Sequence, residues 1–209
     1  MLNTLIERNP DLESIRGDIA AAADLLIRCF ENGGKMLLCG NGGSCADCDH
    51  IVGELMKGFM SRRPLDRVQK IEMQEKCPQI DSGWLEQLQR ALPAISLPSF
   101  TALNSAYAND VNPELMYAQA MMGLGRPQDV LICISTSGNS KNVYAAAAVA
   151  KGLGVKVVSL TGKSGGKLKA LSDVCLCVPR EETYQVQELH LPVYHYLCAR
   201  IEQYFFEEK

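Results

Sequence analysis

A single α/β domain built on a five-stranded parallel sheet is predicted by three observations. Apolar runs of strand length recur at Lys35-Met36-Leu37-Leu38-Cys39, Pro93 to Leu97, Val130 to Ile134, Val155 to Leu160 and Val174 to Val178. Stretches with helical spacing lie between them, the alternation of a parallel sheet covered on both faces by right-handed crossovers. Two of the runs end in loops of small residues, Gly40-Asn41-Gly42-Gly43-Ser44 and Ser135-Thr136-Ser137-Gly138-Asn139-Ser140, each followed at once by a helix start. Open parallel sheets bind ligands beyond the carboxyl ends of their strands, so the two loops are expected to converge on one crevice.

Taken in order, Asp11 to Asn32 places Leu12, Ile15, Ile19, Ala22, Leu25, Leu26, Cys29 and Phe30 at helical spacing and stops at Asn32-Gly33-Gly34. After the first strand and its glycine loop, a helix is predicted from Cys45 to about Phe59. Leu65 to Ala91 is polar and contains the only tryptophan, Trp84; it reads as an inserted pair of short helices broken near Pro78 and Gly83. Asn104 to Gly123 reads as a loop plus a helix containing Asn109-Asp110, Asn142 to Leu153 as an alanine-rich helix, and Tyr184 to Phe206 as the last helix. The sheet so described is doubly wound, flavodoxin-like or Rossmann-like, in one domain spanning 1–209 with an insertion at 65–91.

Composition narrows the function classes. The 209 residues are 47% hydrophobic and 22% charged, the profile of a globular chain with a real core, and the formal net charge of −3 argues against a protein that coats nucleic acid or an anionic membrane. No run is apolar and long enough to span a bilayer, and the N-terminus, with Asn3, Glu7, Arg8 and Asp11, lacks a signal-peptide profile, so the cytoplasm is the expected compartment. Of nine cysteines, Cys39, Cys133, Cys175 and Cys177 fall in strand-like runs and read as core residues. Cys45-Ala46-Asp47-Cys48 has redox or metal spacing, but no second pair completes a structural zinc site, and helix packing is the plainer reading.

The loops carry the chemistry. Hydroxyls at Ser135, Thr136, Ser137 and Ser140 ahead of a helix N-terminus suit a phosphate ester, although ordinary N-capping uses the same residue types. The loop Asn41 to Ser44 lacks the lysine of a nucleotide-binding P-loop and the spacing of a dinucleotide turn, which favours a smaller ligand such as a phosphosugar. His50 and Glu54, four apart, project from one helix face and are able to share a metal or a proton, or to be an ordinary surface pair. Gln187, Leu191 and His195 step along one face of the last helix, while His190 points elsewhere.

These motifs, with Asn109-Asp110, Leu160-Thr161-Gly162 and Gln187-Glu188-Leu189-His190 through His195, resemble the sugar isomerase (SIS) family, and within it the phosphoheptose isomerase branch. The resemblance spans the chain apart from 65–91. It implies a homotetramer with active sites at subunit interfaces. Asn41, Gly42, Gly43, Ser44, Ser135, Thr136, Ser137 and Ser140 would hold the sugar phosphate, with Asn109 and Asp110 lining the pocket. His50, Glu54, Gln187 and His195 match zinc ligands, and Glu54 and His195 match the acid–base pair.

An aldose–ketose isomerase moves a proton between C1 and C2 of an open-chain sugar through an enediol, which needs a carboxylate or imidazole and a group that polarises the carbonyl. The sequence departs from the heptose pattern at Lys57-Gly58, where those enzymes carry Gly-Arg, at Tyr184, in place of an aspartate, and at Pro192, inside the last helix. Rival readings are a non-catalytic SIS protein that binds phosphosugars or associates with the initiator DnaA, or an isomerase of another phosphosugar. The insertion is expected to serve as a lid, a subunit contact, a partner-binding arm or a solvated excursion.

Overall fold

The computed structural model describes residues 1–207. Strands β1 (Met36–Gly40), β2 (Ala94–Ser96), β3 (Val130–Ile134), β4 (Lys156–Thr161) and β5 (Val174–Cys177) form one parallel sheet in the order β2-β1-β3-β4-β5. This is the doubly wound fold expected from the sequence. The winding reverses between β1 and β3, and their register pairs Cys39 with Cys133 and Gly40 with Ile134. The glycine loop after β1 and the serine loop after β3 therefore leave the sheet side by side at its switch point, where such folds bind ligands.

Every residue of β1 and β3 is buried because helices cover both faces. Alternate side chains divide between two cores. Leu38, Ile132, Val158 and Leu176 pack with α2 (Arg16–Glu31), α3 (Gly43–Met56) and α9 (Thr183–Phe206), whereas Leu37, Leu131, Cys133 and Val157 pack with α7 (Met116–Leu124) and α8 (Lys141–Gly152). Helices α3 and α9 share a face, which brings the two helices carrying titratable candidates together.

Several local expectations are refined. A further helix, α1 (Leu2–Arg8), precedes a 3-10 segment Pro10–Ile15, so α2 starts later than Asp11; Leu5, Ile6, Leu12 and Ile15 are buried and anchor this N-terminal bend. The segment 104–123 contributes to two helices, α6 (Thr101–Asp110) and α7, divided by a turn at Pro113–Leu115. Asn109-Asp110 is thus the end of a helix.

The insertion forms α4 (Arg67–Lys76), opened by an Asp66–Gln69 capping box, and α5 (Ser82–Gln87), capped by Asp81. The break falls at 77–81, with Gly83 inside α5. No residue of α4 is buried, and Val68, Ile71, Trp84 and Leu88 are exposed. Helix α9 runs through Pro192 without ending there.

All nine cysteines are free; Cys39, Cys48 and Cys133 are buried, while Cys175 and Cys177 on edge strand β5 are half-buried. Burial raises the Cys48 thiol well above its ordinary value, as in an inert packing residue. Among the described residues no helix is long and apolar enough to cross a membrane.

Candidate active site

Helix α3 begins at the glycine loop and carries His50 and Glu54 on one face, with His50 Nε2 3.2 Å from Glu54 Oε1. From α9, His195 Nε2 lies 3.5 Å from His50 Nε2, and the two rings meet edge-on at 5.0 Å. The tilted Phe59 ring stands 5.7 Å from the His195 ring. Gln187, two turns before His195, reaches the glycine loop. A Cβ on Gly43 would stand 2.6 Å from Gln187 Nε2, so glycine is what admits the carboxamide.

Gly43→Ala is expected to push the Gln187 amide aside while leaving unfolding free energy within about 1 kcal/mol. The displaced atom is a flexible side-chain end, and alanine gains helix propensity over glycine by up to about 1 kcal/mol. A crystal structure and a urea titration of the variant check both halves of the expectation.

Burial, followed by the neighbouring His50, holds the His195 imidazole below its ordinary value, against weaker pulls from Glu54 and Asp47. That favours a neutral ring with a lone pair able to accept a proton or ligate a cation. Burial raises Asp47, opposed by its bond from Tyr194 and by His50 and His195. The Tyr194 hydroxyl donates to Asp47 Oδ1 at 3.1 Å and lies 3.1 Å from His50 Nδ1. Lys57 Nζ stands 3.4 Å from Glu54 Oε2 and 3.2 Å from the Gly58 carbonyl.

His190 faces away from this group and is fully buried, as its helical position predicts. Burial lowers its imidazole from 6.5 to about 4, against a pull from the Thr161 backbone. Between those values the unfolded chain binds a proton that the folded chain does not, so stability present above pH 6.5 is lost as pH falls toward 4. The expected loss is about 3 kcal/mol by pH 4, and His190→Leu should flatten that part of the profile in urea unfolding at pH 7 and pH 4.

The serine loop is tied to both sides of the crevice. Ser135 Oγ and Ser140 Oγ are 3.0 Å apart, and Ser140 sits at the N-cap of α8 without making a side-chain cap bond. The hydroxyls are therefore not spent on ordinary capping. Gly138 adopts φ +65°, and a Cβ there would stand 2.1 Å from the Gly165 carbonyl oxygen, so the loop lies against the turn 161–166. Gly162 N–H donates to Thr136 O at 2.8 Å, and Asn139 N–H to Ser137 Oγ at 3.2 Å. A cavity of about 640 Å³ beside Thr136, Ser137 and Asn139 is also lined by Lys163 and Arg180.

Asn41 links the two loops. Its amide exchanges two 2.9 Å hydrogen bonds with Asn142 at the start of α8, and its Oδ1 also accepts from Tyr117 Oη at 3.2 Å. Ser44 is buried at the start of α3. Asn109 and Asp110 stand apart: both are exposed at the end of α6, and Asn109 Nδ2 donates to Asp110 Oδ1 at 2.8 Å.

A buried clamp beneath the site joins α3 to α9. Arg63 Nε donates to Glu202 Oε1 at 2.6 Å, and the two side chains are 0% and 2% exposed. The Arg63 guanidinium also donates to the carbonyls of Leu55 and Glu54 at 2.7 and 3.0 Å. Glu202 accepts from the N–H groups of Phe59, Met60 and Ser61 at 2.8, 2.6 and 3.1 Å. Burial pushes the Glu202 carboxyl up, but the N–H groups of Phe59 and Met60 together with Arg63 outweigh it and hold the group below its usual range. Sequence reasoning missed Asp47, Tyr194, Arg63 and Glu202. The one local signal was Asp47 three residues before His50, on the same helix face.

The SIS domain family matches residues 10–96 and 101–198. A phosphoheptose isomerase of Helicobacter pylori (strain P12) is 42% identical over 194 residues, covering 93% of this chain and 88% of that protein. The chain belongs to the phosphoheptose isomerase family. Solved phosphoheptose isomerases from Neisseria gonorrhoeae and Francisella tularensis share the fold with TM-scores of 0.75 and 0.77, at 32% and 31% identity. Each alignment covers 96% of this chain and 94% of the other. Against the phosphoheptose isomerase pattern, Tyr184 is exposed and its hydroxyl accepts from Gln185 Nε2 at 3.2 Å, while Lys57 lies beside Glu54.

The donor chemistry at His50, Glu54 and His195 fits a zinc ion. Two imidazoles and a carboxylate would make an open zinc site, and donors on 2.0–2.1 Å arms in a tetrahedron are about 3.3 Å apart, near the His50–Glu54 and His50–His195 spacings of 3.2 and 3.5 Å. Among the described residues no group of three or more His, Cys, Asp or Glu side chains is placed so that it could hold a metal ion as it stands. The Gln187 carboxamide, two turns before His195 on α9, packs against Gly43.

Proposed function

We propose that this chain is a cytoplasmic, single-domain phosphoheptose isomerase that converts sedoheptulose 7-phosphate to D-glycero-D-manno-heptose 7-phosphate through an enediol. The observation that carries the reading is the meeting of Glu54, His50 and His195 from α3 and α9, the helix on which Gln187 reaches the glycine loop two turns earlier. Asn41, Gly42, Gly43 and Ser44, with Ser135, Thr136, Ser137 and Ser140, hold the sugar phosphate through hydroxyls and the N-termini of α3 and α8.

Glu54 takes the proton from one of the two carbons and returns it to the other, and His195, favoured neutral by its surroundings, exchanges protons with the sugar oxygens. His50, Glu54, Gln187 and His195 would hold a zinc ion, which when bound polarises the sugar carbonyl. Asn109 and Asp110, exposed at the end of α6, would line the pocket in a homotetramer whose subunits complete one another's sites. The exposed apolar side chains of the insertion 65–91 offer area for subunit or partner contact.

Proton exchange tests the reading directly. Incubation with sedoheptulose 7-phosphate in deuterated buffer should place label at C1 or C2 of the sugar, and a chelator should abolish it. No label would identify a non-catalytic phosphosugar-binding or initiator-associating member of the fold. Label with amino-sugar phosphates in place of the heptose would identify an isomerase of another phosphosugar.

A further inference from the structure

We propose that Tyr194 is a positioning residue that, together with Asp47, fixes the tautomer of His50 so that its Nε2 lone pair faces the reaction centre. The inference rests on the reading of His50, Glu54 and His195 as that centre. Tyr194 is 2% exposed, and its hydroxyl has two partners only 3.1 Å away, Asp47 Oδ1 and His50 Nδ1. A phenol carries one proton. Donated to the carboxylate, that proton leaves only lone pairs for the imidazole, so the Nδ1 of His50 must supply the hydrogen of the second bond. A neutral His50 then has a bare Nε2.

The alternative tautomer shows what this arrangement prevents. With its hydrogen on Nε2, His50 would donate to Glu54 Oε1, 3.2 Å away, in an ordinary histidine–carboxylate bond. That bond would occupy the carboxylate proposed as base and remove a lone pair proposed for metal ligation. Under the Asp47–Tyr194–His50 relay, Glu54 Oε1 and His50 Nε2 instead converge as acceptors awaiting a cation or a proton, with His195 Nε2 3.5 Å from His50 Nε2. The edge-on seat of the His50 ring against Tyr194, 5.5 Å between centroids at 75°, holds the imidazole plane as well as its hydrogen. Partners of this kind behind a ligating histidine commonly change metal affinity by about 10–100-fold when removed.

Side-chain nitrogen NMR of the metal-free, substrate-free protein provides the test, and with three histidines in the chain the His50 signals are assignable by comparison with a His50→Gln variant. The wild type is expected to show His50 protonated at Nδ1. Tyr194→Phe removes the relay, and Asp47→Ala frees the phenol to donate to Nδ1; both should move the hydrogen to Nε2. Zinc affinity by chelator competition should fall about 10–100-fold in Tyr194→Phe. A wild-type His50 already protonated at Nε2, or a tautomer unchanged in both variants, would overturn the proposal. Because no substrate or metal enters the NMR measurement, a correct tautomer pattern in a protein that fails to exchange sugar protons would discard the isomerase reading alone.

Discussion

Glu54→Gln is expected to reduce isomerase turnover by about 10²–10⁴-fold, the usual contribution of a positioned general base, or about 3–5.5 kcal/mol of barrier. The amide keeps the size of the carboxylate but cannot take a proton from carbon. The backbone carbonyl of residue 54, which accepts from Arg63, is untouched, so the fold should survive. Loss should appear in kcat and kcat/KM together with little change in KM, because the interaction removed belongs to the transition state. Lys57, although 3.4 Å from the same carboxylate, is a cation and does not replace a base. Steady-state kinetics on the purified variant are decisive: near-wild-type turnover would show that another group moves the proton.

Glu202→Ala should be the most destabilising single change considered. It leaves the buried Arg63 charge and three backbone N–H groups of residues 59–61 without their acceptor. Breaking such a pair costs about 3–5 kcal/mol, a fall of about 6–20 °C in Tm for a chain of this length. Removing both partners in an Arg63→Met, Glu202→Leu double variant should recover much of the stability, since no buried charge is then left alone. Activity should stay low in the double variant, because the carbonyls of Glu54 and Leu55 lose the guanidinium that seats the end of α3. Calorimetry paired with kinetics separates the two effects; recovery of both together would show that the clamp stabilises the fold without positioning Glu54.

Much of this site was legible before any coordinates. The i,i+4 spacing of His50 and Glu54, and the eight-residue step from Gln187 to His195, each define a helix face from local geometry alone. The apolar runs that became β1 and β3 end in loops whose small residues announce close approach, and Gly40, Gly43 and Gly138 are positions where a Cβ would collide. The N-terminal bend at Pro10–Ile15 was hidden in a pattern that continues smoothly as a helix, because burial of Leu12 and Ile15 against α1 is satisfied by either geometry. Nothing local in the sequence singles out Tyr194, and no local pattern says that Arg63 and Glu202, 139 residues apart, will be buried as a pair.

From the sequence alone came the strand, loop and helix alternation and the two small-residue loops, which depend on periodicities of two and 3.6 and on residue chemistry, while the candidate acid, base and ligand residues were implied by the family resemblance. Tertiary structure decided which of them meet. The order β2-β1-β3-β4-β5 sets the two loops side by side, and the packing of α3 on α9 brings His50 to His195. The same packing seats Tyr194 between Asp47 and His50 and leaves Asn109 and Asp110 exposed at the end of α6. Local pattern states which face of an element is apolar. Only the packed sheet and helices determine which distant polar groups end within hydrogen-bonding distance, because that distance depends on the placement of whole elements.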